Sequence, residues 1–212
     1  MRPTPRNPDR PILWIIAGPN GSGKSTFYNR TDIEGWGGSV WIINPDLLTQ
    51  QIVEREGLLL DDANLAAVER IETWLYKSIE VYQTIAVETV LSSPKYRELV
   101  IAAKQRGFEI RMIYIVLKSA ELQRQRIGIR VAEGGHDVPL EKVGARRARS
   151  FEQLAWFIGQ TNACYIYDNS TGEPEFLGGK VGGALLRFHP FPRDLQSILD
   201  AAGIPFVDYR PK

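Results

Sequence analysis

The chain has 212 residues, of which 43% are hydrophobic and 24% are charged, values that are ordinary for a globular domain with a buried core. Its 26 basic and 25 acidic residues give a net charge of +1, which excludes an overall field that attracts polyanions. Cys164 is the only cysteine, so the composition also excludes an intramolecular disulfide and a metal site built from cysteines.

The first ten residues, MRPTPRNPDR, are basic and rich in proline. They lack the apolar core of a signal peptide, and the sequence contains no apolar stretch of the length needed to span a bilayer. We interpret residues 1–10 as a disordered lead-in and residues 11–212 as a single domain. The expected location is cytoplasmic, with no membrane partner.

A glycine-rich turn follows the first apolar run, Ile12–Ala17. The pattern Gly-x-x-x-x-Gly-Lys-Ser lies between a predicted buried strand and a helix that begins at Lys24. Such a loop turns backbone N–H groups toward phosphate oxygens, and the helix N-terminus adds partial positive charge. Lys24 is expected to reach the β- and γ-phosphates of ATP or GTP, and Ser25 to bind Mg²⁺. The predicted nucleotide-binding residues are Gly18, Pro19, Asn20, Gly21, Ser22, Gly23, Lys24, Ser25 and Thr26.

Further apolar runs alternate with amphipathic stretches, which predicts an α/β fold with a mostly parallel sheet in three αβα layers. The segment 173–188 is a candidate edge hairpin, and residues 193–202 form a predicted short helix. A long helix within residues 61–83 is expected to pack one face on the sheet, through Leu65, Val68, Leu75, Ile79 and Tyr82. The other predicted elements are strands at Val40–Ile43, Thr84–Val87, Ile110–Leu117 and Cys164–Tyr167, and a helix near Pro94–Gln105.

Polar residues that directly follow a strand are site candidates, because such sheets bind ligands at the carboxyl ends of their strands. Asp46 is either a helix N-cap or the general base that takes a proton from an attacking hydroxyl. Glu88 either holds Mg²⁺ through water or orients an acceptor hydroxyl, with Thr89 beside it, or it faces solvent as an ordinary carboxylate. The segment Asp168–Ser170 is a candidate for a magnesium carboxylate, a contact to the nucleotide base or a simple turn.

Residues 120–157 are interpreted as a helical lid that carries arginines. A first helix reaches Arg130, a glycine pair followed by a histidine breaks it, and a second helix follows. Lid arginines close over a triphosphate, neutralise charge during transfer and exclude water. Arg147 projects onto the apolar face of the second helix and Arg146 onto its flank, so both are candidates, whereas Arg149 points away. A solvated basic face is the alternative for most of these arginines.

With these residues in place, the chain resembles the zeta-toxin family of P-loop kinases in its compact stand-alone form. The resemblance runs from about Leu13 to Ser170 and rests on six segments, AGPNGSGKST, NPD, ETVLSS, RVAEGGHDVP, ARRARS and YIYDNS. It implies a P-loop kinase-like fold that binds ATP or GTP and phosphorylates a hydroxyl of a small molecule. The best understood relatives phosphorylate UDP-N-acetylglucosamine and so block cell-wall synthesis, and a toxin role implies an antitoxin protein as partner.

The same resemblance assigns roles by position in this sequence. It implies that Asp46 is the general base and that Arg130 and Arg146 are the lid arginines that neutralise the γ-phosphate. It further implies that Glu88 and Thr89 face the acceptor.

Three functions remain open from the residues. The first is a small-molecule kinase. The second is a polynucleotide or nucleoside kinase whose arginines bind nucleic-acid phosphates, although the balanced net charge counts against nucleic acid. The third is a nucleotide-dependent switch that binds a protein partner, against which the candidate base beside the phosphate loop counts.

Overall fold

The structure is a computed structural model that describes residues 10–30, 42–132, 139–181 and 183–209, apart from the side chains of Arg30, Leu140 and Val181. Strands and helices alternate along the first two thirds of the chain, as the apolar pattern predicts. In chain order the elements are β1 (Ile12–Ala17), α1 (Lys24–Arg30), β2 (Ile42–Ile43), α2 (Pro45–Glu56), α3 (Leu60–Glu80), β3 (Ile85–Thr89), α4 (Arg97–Gln105), β4 (Glu109–Val116), α5 (Ala120–Ala132), α6 (Leu140–Gln160), β5 (Ala163–Asp168), β6 (Glu175–Val181), β7 (Ala184–Arg187), α7 (Arg193–Ala201) and β8 (Phe206–Asp208).

Within the described residues the strands form an eight-stranded sheet in the order β2-β3-β1-β4-β5-β6-β7-β8. β1 is parallel to both of its neighbours, so that Ile15 lies beside Val87 on one side and Met112 on the other. β2 and β5 extend the parallel part outward. The carboxyl ends of β1 to β5 therefore meet at one edge of the sheet, and the predicted mostly parallel sheet is confirmed.

Helices cover both faces of this sheet, because successive residues of a strand point to opposite faces. On one face Leu13 and Ile15 pack in a core with residues of α3, α4, α6 and α7. On the other face Trp14 and Ile16 pack with Phe27 of α1. Consecutive residues of β1 are therefore buried, as expected of a central parallel strand. The three-layer αβα architecture is confirmed.

The predicted hairpin in residues 173–188 is present, but its predicted place at the sheet edge was wrong. β6 pairs antiparallel with β5 and β7, and β8 then pairs parallel with β7. β8 has three residues, too few to show the alternation by which a strand is recognised in a sequence.

Helix α3 buries part of the predicted stripe, since Leu75 and Ile79 are buried as predicted. Its buried apolar residues recur every four positions, at Ala63, Ala67, Ile71, Leu75 and Ile79. Leu65 and Tyr82 are exposed, so those two predictions were wrong. The alanines of the stripe form a cluster with Ile52 of α2. Because alanine is small, its contribution to a hydrophobic pattern is weak, and Leu65 dominated the pattern instead.

The two predicted lid helices are present as α5 and α6. The glycine pair and His136 between them lie outside the described residues. None of the helices in the described ranges combines the length and the apolarity that crossing a bilayer requires.

Candidate functional site

The phosphate loop leaves β1 at the carboxyl edge of the sheet and leads directly into α1. Gly18 has φ of 148° and Gly23 has φ of 86°, conformations that residues with a side chain rarely adopt. A Cβ at Gly18 would also collide with the carbonyl oxygen of Ile115 in β4. The loop reverses where the N–H of Ser22 donates to the carbonyl oxygen of Pro19 at 3.2 Å. The glycines therefore set the path of the backbone, which is their predicted function in this motif.

The segment after β5 supports the loop from outside. Nδ2 of the buried Asn169 donates to the carbonyl oxygen of Ser22 at 2.9 Å. Asp168 accepts hydrogen bonds from the N–H and hydroxyl of Ser170, two residues further on. Asp168 therefore forms a turn with Ser170, and the other two roles left open for this segment stay predictions. Asn169 has a contact to the loop that the sequence did not predict.

Lys24 is buried at the start of α1, with its ammonium group folded over the loop. Nζ donates to the carbonyl oxygen of Gly18 at 3.0 Å and to that of Pro19 at 3.4 Å. It also lies 3.9 Å from Oε1 of Glu88 at the end of β3. The first and third strands therefore bring a cation and an anion together beside the loop.

Burial and three neighbouring charges change the pKa of the Lys24 ammonium group. Burial, the largest effect, lowers the pKa of Lys24, since a charged ammonium is less stable away from water. The negative charges of Glu88 and Asp46 oppose this effect and raise the pKa, and the positive charge of Arg130 lowers it further. Both candidate carboxylates and one candidate lid arginine therefore lie close enough to act on the ammonium group.

Glu88 is 8% exposed, so the alternative of a solvent-facing carboxylate was wrong. Its Oε2 accepts three hydrogen bonds, from Oγ of Ser25 at 3.0 Å, from the hydroxyl of Tyr28 at 2.9 Å and from Nδ2 of Asn44 at 2.9 Å. α1 supplies two of these donors and the end of β2 supplies the third. The carboxylate is therefore held in one orientation between two layers of the fold.

Asp46 is not the N-cap of α2, and the capping alternative for this residue was wrong. The cap is Asn44, whose Oδ1 accepts from the N–H groups of Asp46 and Leu47. The helix begins two residues earlier than that alternative requires because Pro45, with its fixed φ and missing N–H, occupies the first helical position. The Asp46 carboxylate is exposed at the carboxyl edge of the sheet and is not used by the cap.

Thr89 follows Glu88 but has a local contact. Its Oγ1 accepts from the N–H of Leu91 at 3.0 Å, and Leu91 has φ of 57°. The hydroxyl therefore stabilises the turn after β3, and its role toward an acceptor stays a prediction.

The two arginines that the resemblance selects differ in position. Arg130 lies near the end of α5, partly buried, and its charge acts on Lys24. Arg146 is partly buried on α6. The structure thus places Arg130 close enough to act on Lys24, and the role of Arg146 at the γ-phosphate stays a prediction.

Arg147 projects inward as predicted and is 1% exposed. Nε and Nη2 donate to the two carboxylate oxygens of Asp194 in α7 at 2.6 and 3.1 Å, and Nη2 also donates to the carbonyl oxygen of Leu117 at 2.7 Å. The guanidinium lies 4.6 Å from the ring centre of Phe151. These contacts join α6, α7 and the end of β4, so Arg147 has a structural role rather than one at the phosphate loop.

The remaining lid arginines face outward or make structural contacts. Arg124 forms an exposed ion pair with Glu121, one helical turn earlier. Nη2 of Arg126 donates to the carbonyl oxygen of Ser170 at 2.9 Å. Arg149 is exposed, as predicted.

The sequence did not predict Tyr28 as part of the site, and it marked the segment 44–46 after β2 as a candidate without giving Asn44 a role. Tyr28 follows Lys24 by one helical turn and therefore shares its side of α1. Asn44 directly follows β2, where polar residues were expected to be candidates. Both signals were present, but a tyrosine in a helix and an asparagine before a helix each have common structural explanations.

Comparisons with known proteins show the family and the fold of this chain. The sequence model of a family described as AAA domain (AAA_33) matches residues 13–154, about two thirds of the chain. An uncharacterized protein of Haemophilus influenzae is 28% identical over 137 residues, which cover 60% of this chain and 91% of that protein.

Two solved structures share the fold. The AvrRxo1-ORF1:-ORF2 complex with ATP gives a TM-score of 0.65 at 15% identity, over 91% of this chain and 64% of that one. This chain therefore spans less than two thirds of that neighbour. The PezAT chromosomal toxin–antitoxin system of Streptococcus pneumoniae gives 0.62 at 16% identity, over 92% of this chain and 85% of that one. The predicted P-loop kinase-like fold, and with it the zeta-toxin resemblance, is confirmed at the level of the fold.

Proposed function

This chain belongs to the AAA domain family, and from that premise we propose that it is a kinase that transfers the γ-phosphate of ATP to a hydroxyl group of a small molecule. The shared fold supports a nucleotide-dependent kinase in general terms. The observation that carries the proposal is the meeting of a buried lysine, a hydroxyl and a buried carboxylate, Lys24, Ser25 and Glu88, beside the glycine-rich loop.

In this proposal the loop N–H groups and the Lys24 ammonium bind the β- and γ-phosphates. Asp46 is the general base. Its carboxylate is exposed, so an acceptor hydroxyl can reach it, and it takes the hydroxyl proton as the oxygen bonds to phosphorus and the bond to ADP breaks. Arg130 stabilises the charge of the transferring phosphoryl group, and Arg146 is proposed to join it from α6.

Mg²⁺ is the metal that this class of fold implies, and the residues fit it. Oγ of Ser25 and Oε2 of Glu88 lie 3.0 Å apart, and hydroxyl and carboxylate oxygens are ligands that Mg²⁺ takes together with phosphate oxygens and water. We therefore assign Ser25 and Glu88 to the metal. When bound with ATP, Mg²⁺ neutralises charge on the β- and γ-phosphates.

The proposed acceptor is UDP-N-acetylglucosamine or another nucleotide sugar, which follows from the zeta-toxin resemblance. A neighbour solved with ATP supports ATP as donor, with GTP as the alternative. A neighbour from a toxin–antitoxin system supports an antitoxin protein as partner. The proposal also includes a cytoplasmic location and a single catalytic domain, residues 11–212.

Asp46→Asn tests this proposal, because Asn44 caps α2 and the substitution leaves that cap in place. Asparagine cannot accept the proton, so we expect phosphoryl transfer to fall about a hundredfold or more. Stabilisation of the protein by ATP should persist, since the loop is untouched. Transfer is measured by the mass shift of UDP-N-acetylglucosamine, with nucleosides and an oligonucleotide as parallel acceptors. The matched control is Asp62→Asn, an exposed carboxylate in the first turn of α3.

The outcomes separate the three functions that the residues left open. Transfer by Asp46→Asn at the wild-type rate would remove Asp46 from the mechanism. Transfer by the wild type to the oligonucleotide alone would favour a polynucleotide kinase. ATP hydrolysis without transfer to any acceptor would favour a nucleotide-dependent switch.

A further inference from the structure

The side chain of Asn44 is engaged at both ends of its amide. Oδ1 accepts from the N–H of Asp46 at 3.0 Å and from that of Leu47 at 3.3 Å, which caps α2. Nδ2 donates to Oε2 of Glu88 at 2.9 Å. Capping needs only the oxygen, because an N-cap works by accepting hydrogen bonds. The second contact therefore serves something other than the helix end.

The contact joins the start of α2 to the end of β3. β2 has two residues, Ile42–Ile43, and pairs with Ala86 and Val87 of β3. Directly after this short strand, the planar amide of Asn44 connects the first turn of α2 to the end of β3. Asp46 lies in that first turn, and Glu88 lies at that strand end.

Tyr28 of α1 packs on the other face of the sheet and hydrogen-bonds the same oxygen, Oε2 of Glu88. Its hydroxyl donates to Oε2 of Glu88 at 2.9 Å and accepts from Nδ2 of Asn44 at 3.4 Å. With these donors on Oε2, Oε1 is the oxygen 3.9 Å from Lys24.

We propose that Asn44 is a positioning residue that fixes Asp46 relative to Glu88, and that Tyr28 assists it by orienting the same carboxylate. The inference rests on the proposed function, in which Asp46 takes the acceptor proton and Glu88 holds Mg²⁺. It adds two residues that the proposed function does not use, and both act through their neighbours.

Three substitutions of Asn44 separate capping from positioning. Asn44→Ser keeps a good cap, but the shorter side chain has no amide to donate to Glu88. Asn44→Asp also keeps the cap and turns a carboxylate oxygen toward the carboxylate of Glu88. Asn44→Ala loses both functions. Tyr28→Phe removes the hydroxyl that donates to Oε2 of Glu88.

The probes are ATP and Mg²⁺, and four quantities are measured for each variant. They are the melting temperature, kcat, KM for ATP, and the Mg²⁺ concentration that gives half of the maximal stabilisation by ATP. We expect Asn44→Ser to melt within about 1 °C of the wild type, whereas Asn44→Ala should melt about 3 °C lower. For Asn44→Ser, kcat should fall about tenfold or more and half-saturating Mg²⁺ should rise by a similar factor, with KM for ATP little changed. Tyr28→Phe should show the same changes at smaller size, and Asn44→Asp should show them at larger size because like charges repel.

Ser119 offers the matched control for a lost cap. Its Oγ accepts from the N–H of Leu122 at 3.1 Å at the start of α5, and it makes no contact with Glu88 among the described residues. Ser119→Ala should lower the melting temperature as Asn44→Ala does while leaving kcat and half-saturating Mg²⁺ unchanged. Tyr76→Phe, at an exposed tyrosine, is the control for Tyr28→Phe.

A role in capping alone gives a different order of activities. In that case Asn44→Ser and Asn44→Asp would match the wild type and only Asn44→Ala would be impaired, which would overturn the proposal. If the wild type phosphorylates no acceptor, the proposed function fails, and half-saturating Mg²⁺ still decides the role of Asn44. A wild type that gains no stability from ATP and Mg²⁺ would overturn both.

Discussion

The phosphate loop and the arginine-bearing helices α5 and α6 fix their charged groups in different ways. In the loop, glycine conformations set the backbone path, and the position of Lys24 follows from the start of α1. On α6, the neighbouring residues Arg146 and Arg147 have the same chemistry but different surroundings. Arg147 is buried against Asp194, and Arg146 lies on the flank. A short motif can therefore specify a lysine position directly, whereas the role of an arginine depends on which partner the fold brings to it.

The largest expected effect tests the first half of this comparison. Lys24→Ala removes the cation that lies over the loop, so we expect ATP turnover to fall about a thousandfold. The fold should remain, because burial already lowers the pKa of Lys24 and its charged form gains little from the interior. Turnover and melting curves with and without Mg²⁺ and ATP measure both quantities. Lys77→Ala, at an exposed lysine of α3, is the control.

Two results would contradict this expectation. If the wild type gains no thermal stability from millimolar ATP, the loop does not bind nucleotide. If Lys24→Ala turns over ATP at the rate of the control, the Lys24 ammonium group is not needed for turnover.

Much of the fold could be predicted because its central strands are buried on both faces. Such strands appear in a sequence as continuous apolar runs, and β1 and β5 fell within one residue of their predicted ends at each side. The stripe of α3 could not be predicted in the same way, because its alanines face a neighbouring helix. Which helix packs on which is a property of the whole fold and leaves a weak mark on the local pattern.

The neighbouring residues Arg146 and Arg147 of α6 give the second test, with a smaller expected effect. Arg147→Ala should lower the free energy of unfolding by about 3 kcal/mol, because it removes a buried partner of Asp194 and of the Leu117 carbonyl. The value lies at the low end for buried pairs, since the Asp194 side chain is 48% exposed and can be solvated by water. Arg146→Ala should change stability little and lower phosphoryl transfer if Arg146 joins Arg130 in the reaction. Chemical denaturation and transfer assays measure the two effects.

The exposed Arg149→Ala is the control for both variants. A stable Arg147→Ala that loses transfer, beside an Arg146→Ala that loses nothing, would reverse the two roles and remove the distinction drawn on α6.

The candidate site was predictable where one element supplies the residues and less so where several do. Lys24 and Ser25 follow from the loop motif, and Glu88 follows from its place at the end of a strand. Asn44 and Tyr28 become partners of Glu88 only because β2 lies beside β3, and β3 beside β1. That strand order differs from the order in the sequence, so the contacts could not be derived from spacing along the chain.

The third test uses Cys164 of β5, a strand that lies in the core beside α6 and leads directly into a contact with the phosphate loop. Asn169, just after β5, bonds the phosphate loop, and Cys164 within β5 lies in the core that also contains Phe151 and Leu154 of α6. Burial raises the pKa of the Cys164 thiol to about 12, and the positive charge of Lys180 opposes this only in part. An unfolded thiol has a pKa of about 8.5. The folded state therefore favours the protonated thiol.

The sign of the pH effect follows from this difference. The stability that comes from the protonated Cys164 is fully present below about pH 8.5 and is lost as the pH rises toward 12, because the unfolded thiol ionises first. Between pH 9 and 11 the wild type should lose about 1.4 kcal/mol per pH unit relative to Cys164→Ala. Other alkaline titrations are common to both proteins and cancel in the comparison, which is made by denaturation at each pH. Parallel stability curves would mean that water reaches Cys164 and that the core beside α6 is not sealed.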